Sequence, residues 1–118
     1  EVPARINWKG RPGYGENDPF KPGMIVSNEP GFYKEGAHGV RLENLILCQE
    51  AETTEYGRFL NFETLTIVPF DLDAVDVTLL DSKEKQLLND YHSRVYNELS
   101  AYMTEEELVW LKTATRAI

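Results

Sequence analysis

Residues 24–33 read MIVSNEPGFY and residues 40–48 read VRLENLILC. The first stretch begins with apolar β-forming residues and ends at a proline. It therefore predicts a short strand over residues 24–28, with Glu29 held in extended geometry before Pro30. The second stretch is rich in branched aliphatic residues and predicts a longer strand. Residues 31–39 contain three glycines and are expected to be a connection, so that the two strands pair antiparallel.

The rest of the chain changes from strand to helix patterns. Residues 61–69 carry spaced apolar side chains and predict a third strand. Asp81 with Glu84, and Thr104 with Glu107, are spaced as helix capping boxes. After the first box, apolar residues recur at spacings of three and four, which indicates one face of a helix. These residues are Leu88, Tyr91, Val95, Leu99 and Tyr102. We therefore expect an α+β fold, with a small antiparallel sheet followed by a helical C-terminal part.

Composition and charge exclude several classes of function. The 118 residues include 12 basic and 20 acidic side chains, for a net charge of −8. An acidic chain without a basic stripe is not expected to bind nucleic acid or an anionic membrane. No apolar run approaches the roughly 18 residues of a membrane span. The single cysteine, Cys48, is expected to be a small buried residue, and its lack of a partner fits a reducing compartment such as the cytoplasm.

Two acidic residues stand out because the pattern places them on strands with aliphatic neighbours. Strand alternation puts Glu43 on one face with Arg41 and two leucines, and puts Glu29 on a face with Ile25. If the strands pair, the two carboxylates face the same space. A carboxylate in apolar surroundings needs a compensating partner. That partner is a metal ion, an arginine or both. The pattern leaves two alternatives open, namely that Glu29 is a strand-end residue turned to water, and that Glu43 forms a simple salt bridge to Arg41.

Other candidate residues carry weaker signals. His38 is expected to be a surface residue of the connection, with a substrate contact as the alternative. His92 is expected at a packing boundary of the first helix, and Tyr91, Tyr96 and Tyr102 are expected to pack rather than bind a ligand. The sequence contains no recognisable arrangement of residues for nucleophilic catalysis.

The two opening stretches resemble a known family. The Glu-Pro-Gly-aromatic-Tyr block at residues 29–33 and the Arg-x-Glu-Asn block at residues 41–44 resemble the C-terminal metal-binding region of pita-bread metallopeptidases. Within them the similarity is greatest to aminopeptidase P, the Xaa-Pro aminopeptidase. Residues 8–15 resemble its insert, and residues 60–70 with the helices after them resemble the C-terminal extension of its three-domain members. The resemblance thus implies that residues 1–58 are the C-terminal part of the catalytic domain, and residues 59–118 an extension of one strand and an αα-hairpin.

The resemblance also implies a metal site. The family holds two divalent metals, commonly manganese, on two aspartates, one histidine and two glutamates. Glu29 matches the glutamate that binds one metal and to which proton transfer is assigned, and Glu43 matches the glutamate that bridges both metals. Arg41 and Tyr33 match residues that support these carboxylates, and we place them with Glu29 in the catalytic set. The aspartates and the histidine lie upstream in the family, and Asp71, Asp73 and Asp76 follow the glutamates in the wrong order to replace them.

We therefore expect the chain to be a C-terminal fragment of an enzyme that removes an N-terminal residue preceding proline. With two of five ligands, the fragment is expected to be inactive alone and to hold no metal tightly. The parent is expected to be a cytoplasmic homodimer that acts on peptides with proline at the second position. Two alternatives stay open, namely a metal-free pita-bread module that binds peptides or acts as a chaperone, and a prolidase-type dipeptidase.

Overall fold

The computed structural model of the chain describes residues 19–118. The chain divides into two compact units, the first ending at Thr66 and the second running from Ile67 to Ile118. The β-strands of the described part lie in the first unit and the α-helices in the second. The predicted domain boundary after residue 58 falls within a strand that pairs in the first unit, and as a statement about domains it stays a prediction.

The first unit is antiparallel throughout its described part. Its strands are β1 (Ile25–Asn28), β2 (Gly31–Lys34), β3 (His38–Arg41), β4 (Asn44–Thr54) and β5 (Gly57–Thr64). Strands β1, β4 and β5 form a three-stranded sheet in the order β1-β4-β5, and β2 pairs with β3. The predicted pairing of the first two strands is therefore found, between β1 and β4. The predicted third strand at residues 61–69 is wrong in its bounds, since β5 begins at Gly57 and ends at Thr64.

The predicted connection at residues 31–39 is wrong, because these residues form most of the β2–β3 hairpin. The turn lies between Lys34 and His38, where the Ala37 amide donates to the Lys34 carbonyl at 3.0 Å. Gly36 has a φ of +70°, a conformation that a type II turn requires and that glycine adopts without strain. One glycine therefore serves the turn, and the other two lie in paired strands.

The predicted continuous strand over residues 40–48 is also wrong, because it is interrupted at residues 42 and 43, where a single cross-strand hydrogen bond remains, from the Leu42 amide to the Pro30 carbonyl at 3.1 Å. Across from this break lies Pro30, which has no amide hydrogen to continue the ladder. The register nevertheless carries through, since Asn28 pairs with Asn44 before the break and Gly31 with Arg41 after it. Counting residues across the break therefore places Glu29 opposite Glu43.

Strand β4 is the central strand of the three-stranded sheet and carries its fully buried residue. Cys48 is fully buried, as predicted, and pairs with Phe62 of β5. The Phe62 ring packs edge-on against Phe20, with the ring centroids 5.1 Å apart. Phe20 is thus an aromatic anchor for the end of the glycine- and proline-rich segment that precedes β1. The part of that segment before residue 19, including residues 8–15, lies outside the described residues.

Both helices begin where the capping boxes predict. Helix α1 (Ser82–Leu99) is capped by Asp81 and α2 (Glu105–Ala114) by Thr104, each in a complete capping box. One residue of the predicted apolar face, Tyr102, lies outside α1. The helix ends at Leu99, and a 3₁₀ turn follows over Ser100–Tyr102. Tyr102 is 85% exposed, so its predicted packing role is wrong. The backbone has to become extended at Thr104 to cap α2, which ends the first helical run early.

The second unit packs around α1. Its buried side chains come from both helices and from the segment before them: Leu72, His92, Val95 and Leu111. The chain returns along α1 after α2, so that the Ile118 amide donates to Asn89 at 2.9 Å. His92 is only 1% exposed, so its predicted place at a packing boundary is wrong. Within residues 19–118, neither helix combines the length and the apolar character needed to cross a bilayer.

Candidate metal centre

The interruption at residues 42 and 43, which we call the hairpin break, lies opposite Pro30. At this break two carboxylates lie opposite each other on adjacent segments of the chain. Glu29 follows β1 and Glu43 precedes β4, and like charges placed opposite one another on paired strands are destabilising. Arg41, at the end of β3, lies on the same face and offsets this repulsion. One of its terminal nitrogens is 3.0 Å from a Glu29 oxygen, and that same nitrogen is 3.8 Å from a Glu43 oxygen.

Further hydrogen bonds fix this cluster. The Ser27 hydroxyl donates to the second Glu29 oxygen at 2.5 Å. Arg41 donates from Nε to the Tyr33 hydroxyl at 2.7 Å, so its side chain is held at a separate nitrogen from the one that faces the glutamates. The hydrogen bond to Tyr33, together with the charge of Glu29, raises the pKa of Arg41. The guanidinium is therefore charged at neutral pH.

The two carboxylates stay in contact with water, which is the alternative that the pattern leaves open for Glu29. The side chains of Glu29, Arg41 and Glu43 are 43%, 47% and 48% exposed. The reason is local, since both glutamates lie at the gap between the paired strands. Leu45, the expected aliphatic neighbour of Glu43, is itself 47% exposed.

Two carboxylates of this kind suit a hard or borderline divalent cation, which prefers oxygen ligands. They do not complete a site by themselves. Residues 19–118 hold no cluster of three or more histidine, cysteine, aspartate or glutamate side chains placed to share a metal ion. Glu29 and Glu43 thus fit part of a metal centre, and further ligands have to come from elsewhere.

Several candidate residues are not brought to this cluster. His38 pairs with Lys34, so strand alternation places it on the opposite face of the hairpin. The three aspartates after β5 lie in the second unit, where each has a local partner. Asp71 accepts from the Asp73 amide, Asp73 pairs with Arg116 at 2.6 Å, and Asp76 accepts from Thr78. Ser27 is a contact that sequence reasoning missed, although its spacing of two residues from Glu29 on one strand face was a usable signal.

Comparison with family models decides the classification. A model described as the C-terminal region of peptidase M24 matches residues 58–118, and the model of metallopeptidase family M24 matches residues 1–50. The chain belongs to metallopeptidase family M24. This confirms the predicted family and agrees with the predicted α+β arrangement, in which small antiparallel sheets precede a helical C-terminal part.

Individual relatives of this M24 chain carry more specific names. Proteins from Arthroderma benhamiae and Botryotinia fuckeliana, each named probable Xaa-Pro aminopeptidase P, are 42% identical over 105 residues and 41% identical over 99 residues. These matches cover 85% and 80% of this chain and 15% of each relative. A crystal structure of X-prolyl aminopeptidase from Caenorhabditis elegans, described as a cytosolic enzyme with a di-nuclear active site, matches with a TM-score of 0.73 and 34% identity.

These relatives are much longer than this chain. The alignment with the Caenorhabditis elegans structure covers 84% of this chain but 17% of that protein. The chain therefore spans about a sixth of the length of its relatives, as expected of a C-terminal segment.

Proposed function

We propose that this M24 chain is the C-terminal segment of an Xaa-Pro aminopeptidase, which hydrolyses the bond between an N-terminal residue and a following proline. The observation that carries the proposal is the pair of opposed carboxylates, Glu29 and Glu43, gathered around Arg41 at the break in the hairpin. The names of the relatives support the reaction and the substrate class. A prolidase-type dipeptidase has no comparable support among these names.

In this proposal Glu29 and Glu43 hold two divalent metal ions, with manganese as the expected metal. The ions, when bound, polarise the peptide carbonyl and lower the pKa of the attacking water. We assign proton transfer to the exposed carboxylate of Glu29, and the hydrogen bond from the Ser27 hydroxyl to this carboxylate supports a fixed orientation. Glu43, on the strand segment opposite Glu29, would bind metal from the other side of the site. Residues that orient ligands from behind are commonly as important as the ligands themselves, and this is the role we give to Arg41 and Tyr33.

The setting of the protein is part of the same proposal. The di-nuclear site and the cytosolic location described for the Caenorhabditis elegans enzyme support two metal ions and a cytoplasmic protein here. A homodimer of the longer protein stays a prediction.

The proposal is tested in the longer protein that contains this segment by Glu43→Gln. We expect this variant to lose bound manganese and Xaa-Pro hydrolysis together, since the amide keeps the shape of the side chain and removes its charge. Bound metal is measured by elemental analysis and activity with an Xaa-Pro peptide. Glu50→Gln is the matched control, because Glu50 is an exposed β4 carboxylate paired with an arginine, Arg58, at 3.1 Å. We expect it to keep both metal and activity.

Two outcomes would contradict the proposal. Normal turnover by Glu43→Gln would remove Glu43 from the site. A longer protein that binds Xaa-Pro peptides but neither binds metal nor hydrolyses them would instead support the metal-free binding module.

A further inference from the structure

The hairpin face that carries Arg41 has an unusual surface, since the Tyr33 ring lies directly over two glycines. Tyr33 pairs with Gly39 across the hairpin, and Gly31 precedes it by two residues on the same face. A Cβ atom added to Gly39 would lie 2.6 Å from Cδ1 of the ring and 3.1 Å from Cε1. A Cβ atom added to Gly31 would lie 2.6 Å from the hydroxyl oxygen and 2.9 Å from both Cε2 and Cζ.

Backbone conformation does not explain these two glycines. Among the described residues, glycines with positive φ are Gly23, Gly36 and Gly57, and these have open space where a Cβ would lie. Gly31 and Gly39 are the reverse case, because their backbone suits any residue and their Cβ position is filled. A glycine inside a strand is otherwise unfavourable and often marks a close approach. What these positions supply is therefore room for the ring.

The position of the Tyr33 ring over Gly31 also determines what Arg41 can contact. Gly31 is the cross-strand partner of Arg41, so a ring lying over Gly31 points its hydroxyl toward the arginine. The hydroxyl there accepts from Arg41 Nε at 2.7 Å, and the far side of the guanidinium faces Glu29 at 3.0 Å. The chain of contacts runs from the two glycines through Tyr33 to Arg41 and ends at the carboxylates.

We propose that Gly31 and Gly39 are positioning residues, which hold Tyr33 flat across the hairpin so that Arg41 is aimed at Glu29 and Glu43. The contacts concern this chain alone, whereas their meaning for catalysis rests on the proposed function. An added methyl group has to push the ring off this face, because contacts of 2.6 Å are shorter than side chains tolerate. Arg41 then loses its acceptor at Nε and is free to turn away from the glutamates.

Nuclear magnetic resonance of the unsubstituted chain tests the arrangement first. We expect the Hα signals of Gly31 and Gly39 to be shifted upfield by the ring, with cross-relaxation to the Tyr33 ring protons. We also expect the Arg41 Nε–H signal to exchange slowly with water. Unshifted glycine signals would overturn the proposal without any substitution being made.

Substitution then tests the link to Arg41. We expect Gly39→Ala to speed exchange of the Arg41 Nε–H by roughly fivefold to tenfold, about as much as Tyr33→Phe, which removes the acceptor itself. Val40→Ala is the matched control, because it alters the neighbouring residue on the opposite face. Equal protection of Arg41 in Gly39→Ala and in the original chain would overturn the proposal.

A double-substitution cycle separates positioning from a general loss of stability. We expect Gly39→Ala to raise the unfolding equilibrium constant by roughly tenfold in the original chain and by less than about twofold when Tyr33→Ala is already present. An equal effect in both backgrounds would show that the methyl group acts elsewhere. Gly31→Ala repeats the test where Gly39→Ala does not fold. These measurements use neither metal nor peptide, so their outcome is independent of whether the proposed hydrolysis is correct.

Discussion

At the scale of single residues, Arg41 is the side chain whose geometry is most demanding. Its Nε is committed to Tyr33 and a terminal nitrogen faces both glutamates. A guanidinium can serve two directions at once because its donors form a rigid planar fork. A lysine carries its three donors on a single nitrogen, so it could not reach Tyr33 and the glutamates from two separate nitrogens as Arg41 does. Since solvent screens an exposed ion pair, the arrangement contributes little to stability and is better explained by orientation.

His92 is the second residue whose surroundings lead to a prediction. Its Nε2 accepts from the Phe70 amide at 3.0 Å, and its Nδ1 is buried with no hydrogen-bond partner in the described part of the chain. Burial, and secondly the charge of Arg116, lower the pKa of His92 below its ordinary value of 6.5. The unfolded chain therefore takes up the proton first, and the free energy of unfolding falls as the pH drops from about 6.5 toward the lowered pKa.

We expect His92→Gln to remove this part of the pH dependence, because the glutamine oxygen can accept from Phe70 and does not titrate. The measurement is chemical denaturation between pH 5 and 8, followed by far-ultraviolet circular dichroism. His38→Gln is the control, since His38 is the other histidine of the chain and is exposed. Loss of the pH dependence in His38→Gln rather than in His92→Gln would show that the exposed histidine carries it.

At the scale of elements, the helix starts are determined locally and so lend themselves to a direct test. The Asp81 carboxylate accepts from the Glu84 amide at 2.8 Å, and Glu84 accepts from the Asp81 amide at 2.9 Å. We expect Asp81→Ala to lower the free energy of unfolding by about 1 kcal/mol, because an amide at the start of α1 loses its acceptor. Asp81→Ser, which keeps a capping oxygen, should lose only a few tenths of that amount. Equal losses in thermal or urea denaturation would mean that the cap is not what Asp81 contributes.

The success and failure of the sequence predictions follow the same division between local and distant causes. Capping boxes depend on residues three apart, so both helix starts were predicted correctly. The three glycines of residues 31–39 are typical of a loop, so the sequence does not predict the β2–β3 hairpin that forms there. Only Gly36 has that role, while Gly31 and Gly39 lie in strands and make room for a ring. The strand break at residues 42 and 43 was missed because its cause, Pro30, lies on the facing strand.

The candidate site shows a similar limit. The residue pattern alone placed Glu29 and Glu43 in one space and left open whether a metal or an arginine stands between them. The geometry supplies the arginine, and the family supplies the reason to expect metals as well. Tyr33 could not be derived from the pattern, because its link to Arg41 depends on the hairpin. The burial of His92 depends on the Phe70 segment, which lies more than twenty positions earlier in the chain.

At the scale of the whole molecule, the ligands available to a metal are few. The chain contains two histidines, of which His38 lies on the face of the hairpin opposite Glu29 and His92 is buried in the second unit. The aspartates after β5 are held by local partners in that unit. Within residues 19–66, the carboxylates at the hairpin break therefore have no histidine on their own face of the strands. Among the described residues, the ligand set that the resemblance implies is therefore incomplete beside these carboxylates.

We accordingly expect the 118-residue chain to bind manganese weakly and to leave an Xaa-Pro peptide intact. Metal affinity depends on the number of ligands held in place, and two half-exposed carboxylates that already share Arg41 provide little chelation. Titration calorimetry with manganese measures the binding, and release of the N-terminal residue measures hydrolysis. The chain with Glu43→Gln is the control, and any weak binding that survives in it comes from other acidic groups. Tight binding of two manganese ions by the original chain, or sustained hydrolysis, would show that residues 1–118 already contain a complete site.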